Sequence, residues 1–143
     1  MSAVWLERQT AKPPLTLNVG RQRGEWARRK ELAEWRKWAK EYAEGIDPIA
    51  GPVAVTAVHL RKTHASMPDV GAPILAVKAV IDGLVDAHVL PGDGPDIVQS
   101  LLFEQPLIVG YHGLRVIVRP IEQHAGRSQQ PPITGSLTLP SSS

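Results

Sequence analysis

Five aspartates are clustered in the middle of the chain, where they are the only acidic residues between positions 66 and 97. They are Asp69, Asp82, Asp86, Asp93 and Asp96. Carboxylate oxygens are the ligands that Mg²⁺ prefers, and a metal held in this way can activate water for phosphodiester hydrolysis. Lys78 precedes Asp82 by four residues, so in a helix its ammonium group would lie beside that carboxylate and could contact a phosphate. These residue types and spacings are compatible with a metal-dependent phosphodiesterase site.

The same aspartates also have a purely structural interpretation. Asp82 and Asp86 lie along one flank of a predicted helix, where Lys78 could neutralise them. Asp93 and Asp96 occupy a turn rich in glycine and proline, where aspartate is common because its short side chain bonds nearby backbone groups. Spacing alone leaves both interpretations open.

Several other chemistries are excluded or unsupported by the sequence. The chain contains no cysteine, which excludes disulfides, iron–sulfur clusters, thiolate-bound zinc and thiol nucleophiles. None of its five histidines forms the helical zinc motif, and no glycine-rich nucleotide loop or serine nucleophile elbow is present. His88 falls on the apolar side of a predicted helix, so we expect it in the core or at the helix end.

Positive charge is concentrated in the first third of the chain. Residues 1–45 contain ten Lys or Arg and six Glu, whereas residues 46–143 contain six basic and eight acidic residues. Cations on one side of a predicted helix could bind DNA phosphates, and Trp26 among them could stack on a base or pack against a neighbouring subunit. The alternative is a solvated helix surface with interspersed glutamates. The cations are Arg29, Lys30, Arg36, Lys37 and Lys40.

The first predicted elements are a helix over 24–45 and a β-branched strand over 53–60. The helix carries an aromatic stripe on its inner side. Large aromatic residues in such a stripe are expected in the core or in a dimer interface rather than in a ligand site. The stripe consists of Trp35, Trp38 and Tyr42.

The second half of the predicted domain contains a helix and two strands. Pro73 is well placed to begin the helix, and the proline- and glycine-rich stretch 91–95 ends it. Strand-like residues follow within 97–109 and 114–119, with a hairpin turn at 111–113. We therefore expect an α+β fold, a small single domain in which a mixed sheet packs against two main helices.

The length of 143 residues is typical of one domain. Residues 1–14 are predicted to be an irregular lead-in, 15–122 the folded domain, which opens with a short extended segment at 15–17, and 123–143 a disordered tail. No apolar run approaches the roughly 18 residues of a membrane span, and the N-terminus lacks the apolar core of a signal peptide. The expected location is cytoplasmic.

Residues 67–93 resemble the RusA family of Holliday-junction resolvases, especially the divergent members carried by bacteriophages of actinobacteria. The resemblance is carried by Met-Pro-Asp at 67–69, by Lys-Ala-Val-Ile-Asp-Gly-Leu-Val-Asp-Ala at 78–87, and by Val-Leu-Pro-Gly-Asp at 89–93. Lys78 and Asp93 are fifteen residues apart, as are the family's lysine and its later aspartate. Weaker similarity extends the match to roughly 13–120.

This resemblance implies a homodimer that makes paired nicks in a four-way DNA junction, with Mg²⁺, or Mn²⁺ in its place, held by aspartates. Asp82 matches the family's helix aspartate, Asp93 the aspartate of the following turn, and Lys78 its catalytic lysine. Asp69 is the best match to the acidic segment before the helix. Arg61 and Lys62 join the helix cations as expected DNA contacts. A phage-encoded protein of this family would work in the host cytoplasm.

The chain departs from the family pattern at two places. Relatives commonly have two aspartates before the helix and a pair in the turn, whereas this chain has Asp69 alone before the helix and Gly92-Asp93 in the turn. The difference leaves open recruitment of Asp86 or Asp96 to the metal, one ion in place of two, or loss of activity. A catalytically silent protein that binds branched DNA, and a protein-interaction domain without DNA affinity, are therefore the alternative functions.

Overall fold

The computed structural model describes residues 3–16, 24–64 and 68–121. In these residues the order is strand, helix, strand, helix, strand, strand. The elements are β1 (Val4–Thr10), α1 (Glu25–Tyr42), β2 (Val53–Arg61), α2 (Ile74–Asp86), β3 (Val98–Ile108) and β4 (His112–Pro120). The α+β class is confirmed, whereas the predicted tail at 123–143 lies outside the described residues.

The strands form one mixed sheet in the order β1-β4-β2-β3. β4 pairs antiparallel with both β1 and β2, and β2 pairs parallel with β3. The predicted hairpin turn at 111–113 is wrong, because β2 lies between β3 and β4 in the sheet. Parallel neighbours need a crossover connection, and α2 provides it between β2 and β3. The crossover places the start of α2 after the end of β2, and the end of α2 before the start of β3.

The prediction of an irregular lead-in at 1–14 is wrong for Val4–Thr10, which form the edge strand β1. Leu6 is fully buried on the inner side of β1, but the next inward residue is Arg8. Its guanidinium stacks over the Trp35 ring at 4.5 Å from the centroid. A cation at an inward position interrupts the apolar alternation that would have identified the strand.

The core lies between the inner sheet face and the two helices. Trp35 is its largest fully buried side chain, and its indole N–H donates to Glu31 Oε2 at 3.2 Å. Trp38 packs edge-on against Trp35, with ring centroids 5.9 Å apart. Tyr42 is 47% exposed and donates its hydroxyl to the Trp5 carbonyl at 3.2 Å. The aromatic stripe therefore enters the core at Trp35 and ends at the surface at Tyr42.

The two helices cross in direct backbone contact at Gly83. A Cβ atom at this position would lie 2.4 Å from the Arg36 carbonyl oxygen and 2.7 Å from the Ala39 Cβ. Only a glycine allows this approach, because both neighbouring groups belong to the adjoining helix and cannot swing away. The contact fixes Arg36 of α1 directly above α2.

Gly83→Ala is expected to destabilise the fold by about 1–2 kcal/mol. Overpacking typically costs about 1–3 kcal/mol, which outweighs the roughly 1 kcal/mol of helix propensity that alanine gains over glycine. Urea unfolding gives the difference. Gly71→Ala is the matched control, since a Cβ there meets nothing within 4 Å. Equal stability of the two variants would contradict the close helix crossing.

Candidate functional site

The carboxyl groups of Asp82 and Asp93 face each other where α2 ends and the following loop begins. Asp82 lies four residues before the end of α2, and Asp93 lies in the turn that leads to β3. They are near enough for Asp93 to act on the pKa of the Asp82 carboxyl. Burial raises the pKa of Asp82; the Arg36 charge opposes this rise, and the facing Asp93 carboxylate adds to it. A cation between the two groups would relieve their repulsion.

Asp86 lies one turn after Asp82 and is held by an ion pair between the helices. Arg36 Nε donates to one Asp86 oxygen at 2.6 Å and Arg36 Nη2 to the other at 2.9 Å. These hydrogen bonds lower the pKa of Asp86. The structural interpretation paired Asp86 with Lys78, and the partner in the structure is Arg36. Arg36 thus belongs to the acidic site as well as to the helix surface.

Lys78 is exposed on α2. Among the described cations, Arg36 is the one whose charge lowers the pKa of Asp82. Lys78 is not among the groups that shift the pKa of Asp82. The ammonium group expected beside the carboxylates is therefore directed to solvent, where it remains accessible to a phosphate.

Asp69 lies at the opposite end of β3 from Asp93. It lines an open groove with Gln105 and Pro106, near the end of that strand. Asp93 precedes the start of β3, where the Val98 N–H donates to the Gly94 carbonyl at 2.9 Å. The part of β3 between Val98 and Gln105 spans about 23 Å at 3.3 Å per residue. Within one protomer, Asp69 therefore does not share a cation with Asp82 and Asp93.

Two carboxyl groups suit Mg²⁺, which usually keeps several waters and binds through one or two carboxylates together with substrate phosphates. Asp82 and Asp93 meet this requirement. In the described part of the chain, no group of three or more His, Asp or Glu side chains is placed to hold a metal ion. Asp86 is engaged by Arg36, and Asp96 is an exposed residue of the turn after Gly94.

The predicted DNA-binding cations fall into two groups. Arg29 is paired with Glu25 at 2.7 Å, and Arg36 with Asp86. Arg61 is 8% exposed, which removes most of its side chain from contact with a ligand. The other four are exposed, and in the described residues none of them lies in an ion pair. They are Lys30, Lys37, Lys40 and Lys62.

His59 is a buried titratable residue that sequence reasoning did not single out. It is 1% exposed on β2, and neither ring nitrogen has a hydrogen-bond partner among the described residues. Burial lowers its pKa to about 4, and the charges of Arg61 and His112 act in the same direction. The sequence signal for the burial of His59 was its position within the β-branched run of β2. His88, in contrast, is exposed just after α2 with a φ of 63°, so the predicted helix-end position is correct.

Comparison with known proteins finds no matching family model and no similar curated protein. No helix among the described residues has the length and apolarity needed to cross a membrane.

Proposed function

We propose that the protein is a Mg²⁺-dependent endodeoxyribonuclease that acts on Holliday junctions and other branched DNA, as its resemblance to the RusA family suggests. The observation that supports this best is the pair of facing carboxyl groups at Asp82 and Asp93. Mg²⁺, or Mn²⁺ in its place, would supply an activated water and positive charge at the scissile phosphate.

The chain's own residues have distinct roles in this proposal. Asp82 and Asp93 hold the cation. Arg36 neutralises Asp86, which lowers the negative charge that an approaching phosphate would meet. Lys78 is exposed on α2, the helix that carries Asp82, and contacts a neighbouring phosphate. Paired nicks in a four-way junction need two symmetric sites, so the active form is a homodimer. An Asp69 side chain near Asp82 and Asp93 would then have to come from the second protomer.

Nicking of a synthetic four-way junction tests the proposal. The wild-type protein is expected to nick the junction with Mg²⁺ or Mn²⁺, and Asp93→Asn is expected to lose this activity, since one of the two carboxylates is gone. Asp47→Asn is the matched control, because Asp47 is exposed after α1 and away from the pair. Equal nicking by wild type and Asp93→Asn would rule out the assignment.

A catalytically silent protein that binds branched DNA is the second candidate. The engagement of Asp86 by Arg36 favours it, because Asp82 and Asp93 are then the only two of the five central aspartates, all within the described residues, that lie together to hold a metal. Tight binding of the junction without cleavage, in Mg²⁺ and in Mn²⁺, would distinguish this candidate from the nuclease.

A further inference from the structure

One exposed line of α1 runs from an uncovered tryptophan towards the carboxyl pair. Its positions are alternately four and three residues apart, so they follow a single face of the helix. All of them are exposed, and no acidic residue lies among them. The line, here called the α1 stripe, consists of Trp26, Lys30, Ala33, Lys37 and Lys40.

Ion pairs in α1 leave the lysines of the stripe available. Arg29 and Arg36 lie to one side of it, and each is bound to a carboxylate. In the described part of the chain, Lys30, Lys37 and Lys40 form no ion pair. Glu34 and Glu41 are exposed one turn after Lys30 and Lys37, but in the described structure they form no ion pair with these lysines. A polyanion on α1 would therefore meet lysines that no salt bridge of the described residues holds.

The length and direction of the stripe match a nucleic-acid strand that reaches the carboxyl pair. Lys40 lies at the helix crossing, where its backbone nitrogen would be 3.0 Å from a Cβ atom on Gly83, the residue after Asp82. Trp26 lies fourteen residues before Lys40, about 21 Å along the helix axis. That distance is long enough to follow several nucleotides of a single strand.

Trp26 is 75% exposed, the largest exposed fraction among the described large hydrophobic side chains. Lys30 Nζ lies 5.4 Å from the centroid of its ring. An open indole beside an ammonium group can stack on a base while the lysine meets the adjoining phosphate. Trp5 is 54% exposed, but its neighbouring cation Arg115 is already bonded to Glu7 at 2.7 Å. Trp26 is thus the exposed tryptophan whose cation remains available.

We propose that the α1 stripe guides a single DNA strand from the carboxyl pair, and that Trp26 stacks on an unpaired base of this strand. The stripe carries three lysines and no acid, which suits a polyanion, and DNA is the polyanion of the proposed function. This inference rests on the proposed function, which supplies the DNA ligand. It adds that α1 recognises an unpaired strand of that DNA.

Fluorescence anisotropy in EDTA, with an oligothymidylate and a blunt duplex of equal length as probes, tests this inference without cleavage. Trp26→Ala is expected to weaken oligothymidylate binding about 5- to 150-fold, the range for loss of one stacked base. Trp26→Phe should restore most of the affinity, and neither change should affect duplex binding. Trp5→Ala is the matched control and should bind both probes as wild type does.

Wild-type affinity of Trp26→Ala for oligothymidylate would overturn the inference, as would an equal loss with both probes. A change in sedimentation coefficient of Trp26→Ala, with unchanged DNA binding, would assign Trp26 to a contact between subunits and would also overturn it. Junction nicking by Trp26→Ala and wild type separates the two proposals. Nicking with no Trp26 effect contradicts the stacking alone, and selective loss of oligothymidylate binding without any nicking contradicts the nuclease alone.

Discussion

Asp82→Asn is expected to stabilise the protein in EDTA and to abolish its stabilisation by Mg²⁺. Burial and the facing Asp93 raise the pKa of Asp82, so its ionised form at neutral pH opposes folding. That unfavourable contribution disappears as the pH falls through the raised pKa, and an uncharged asparagine removes it at every pH. A cation that binds only the folded wild type adds about 2.7 kcal/mol at 100 times its Kd.

Thermal unfolding with EDTA, and then with increasing MgCl₂, measures both effects. Asp47→Asn is the control, and its melting temperature should rise with Mg²⁺ as that of the wild type does. An Asp82→Asn protein that is less stable than wild type in EDTA would show that the carboxyl group supports the fold. A Mg²⁺ response that survives Asp82→Asn would place the cation elsewhere. The first result would contradict the unfavourable effect of the ionised Asp82 on folding, and the second would contradict the assignment of Asp82 to a cation site.

Acidification from pH 6.5 to pH 4 is expected to destabilise the fold by about 3 kcal/mol through His59 alone. The pKa of His59 falls from 6.5 to about 4 on folding, and one pKa unit corresponds to about 1.4 kcal/mol. Between pH 6.5 and pH 4, the histidine of the unfolded chain binds a proton, whereas buried His59 of the folded protein does not. Stability is therefore unaffected above pH 6.5 and is lost as the pH falls towards 4. Arg61 and His112 oppose protonation of His59 as well.

Urea unfolding between pH 4 and pH 7 measures this loss. His59→Leu removes the titrating ring and two buried nitrogens that lack partners among the described residues, so its stability should depend less on pH. His64→Leu is the control, because His64 is exposed in the segment after β2 and should leave the pH dependence unchanged. The same slope in wild type and His59→Leu would contradict the assignment to His59.

Local sequence patterns predicted most of the fold. The 3.6-residue period identified α1 and α2, and the β-branched run identified β2, because burial of one helix face or of a whole strand leaves a clear apolar pattern. β1 was missed for a tertiary reason. Arg8 occupies an inward position there because Trp35, distant in sequence, offers its ring to the guanidinium. A one-dimensional pattern does not contain that contact.

The candidate site was predictable only in part. Asp82 and Asp93 are joined by the end of α2 and a short turn, so their approach follows from local geometry. The partner of Asp86 does not, because Arg36 reaches it from another helix 50 residues away, through a crossing that depends on Gly83. Asp69 was grouped with the others because it precedes the same helix in the run of aspartates and matches the family's acidic segment, whereas the length of β3 separates it from Asp93.

The position of β1 sets the order in which the chain can fold. Its partner is β4, with Val4 opposite Val118 and Thr10 opposite His112, so the first of the described strands pairs with the last of them. During synthesis the backbone groups of β1 stay unpaired until almost the whole domain has left the ribosome. Such distant pairing slows folding, because the loop must close before its contacts form. The β2–α2–β3 unit, whose contacts are closer in sequence, is therefore expected to form first, and β1 to close the sheet last.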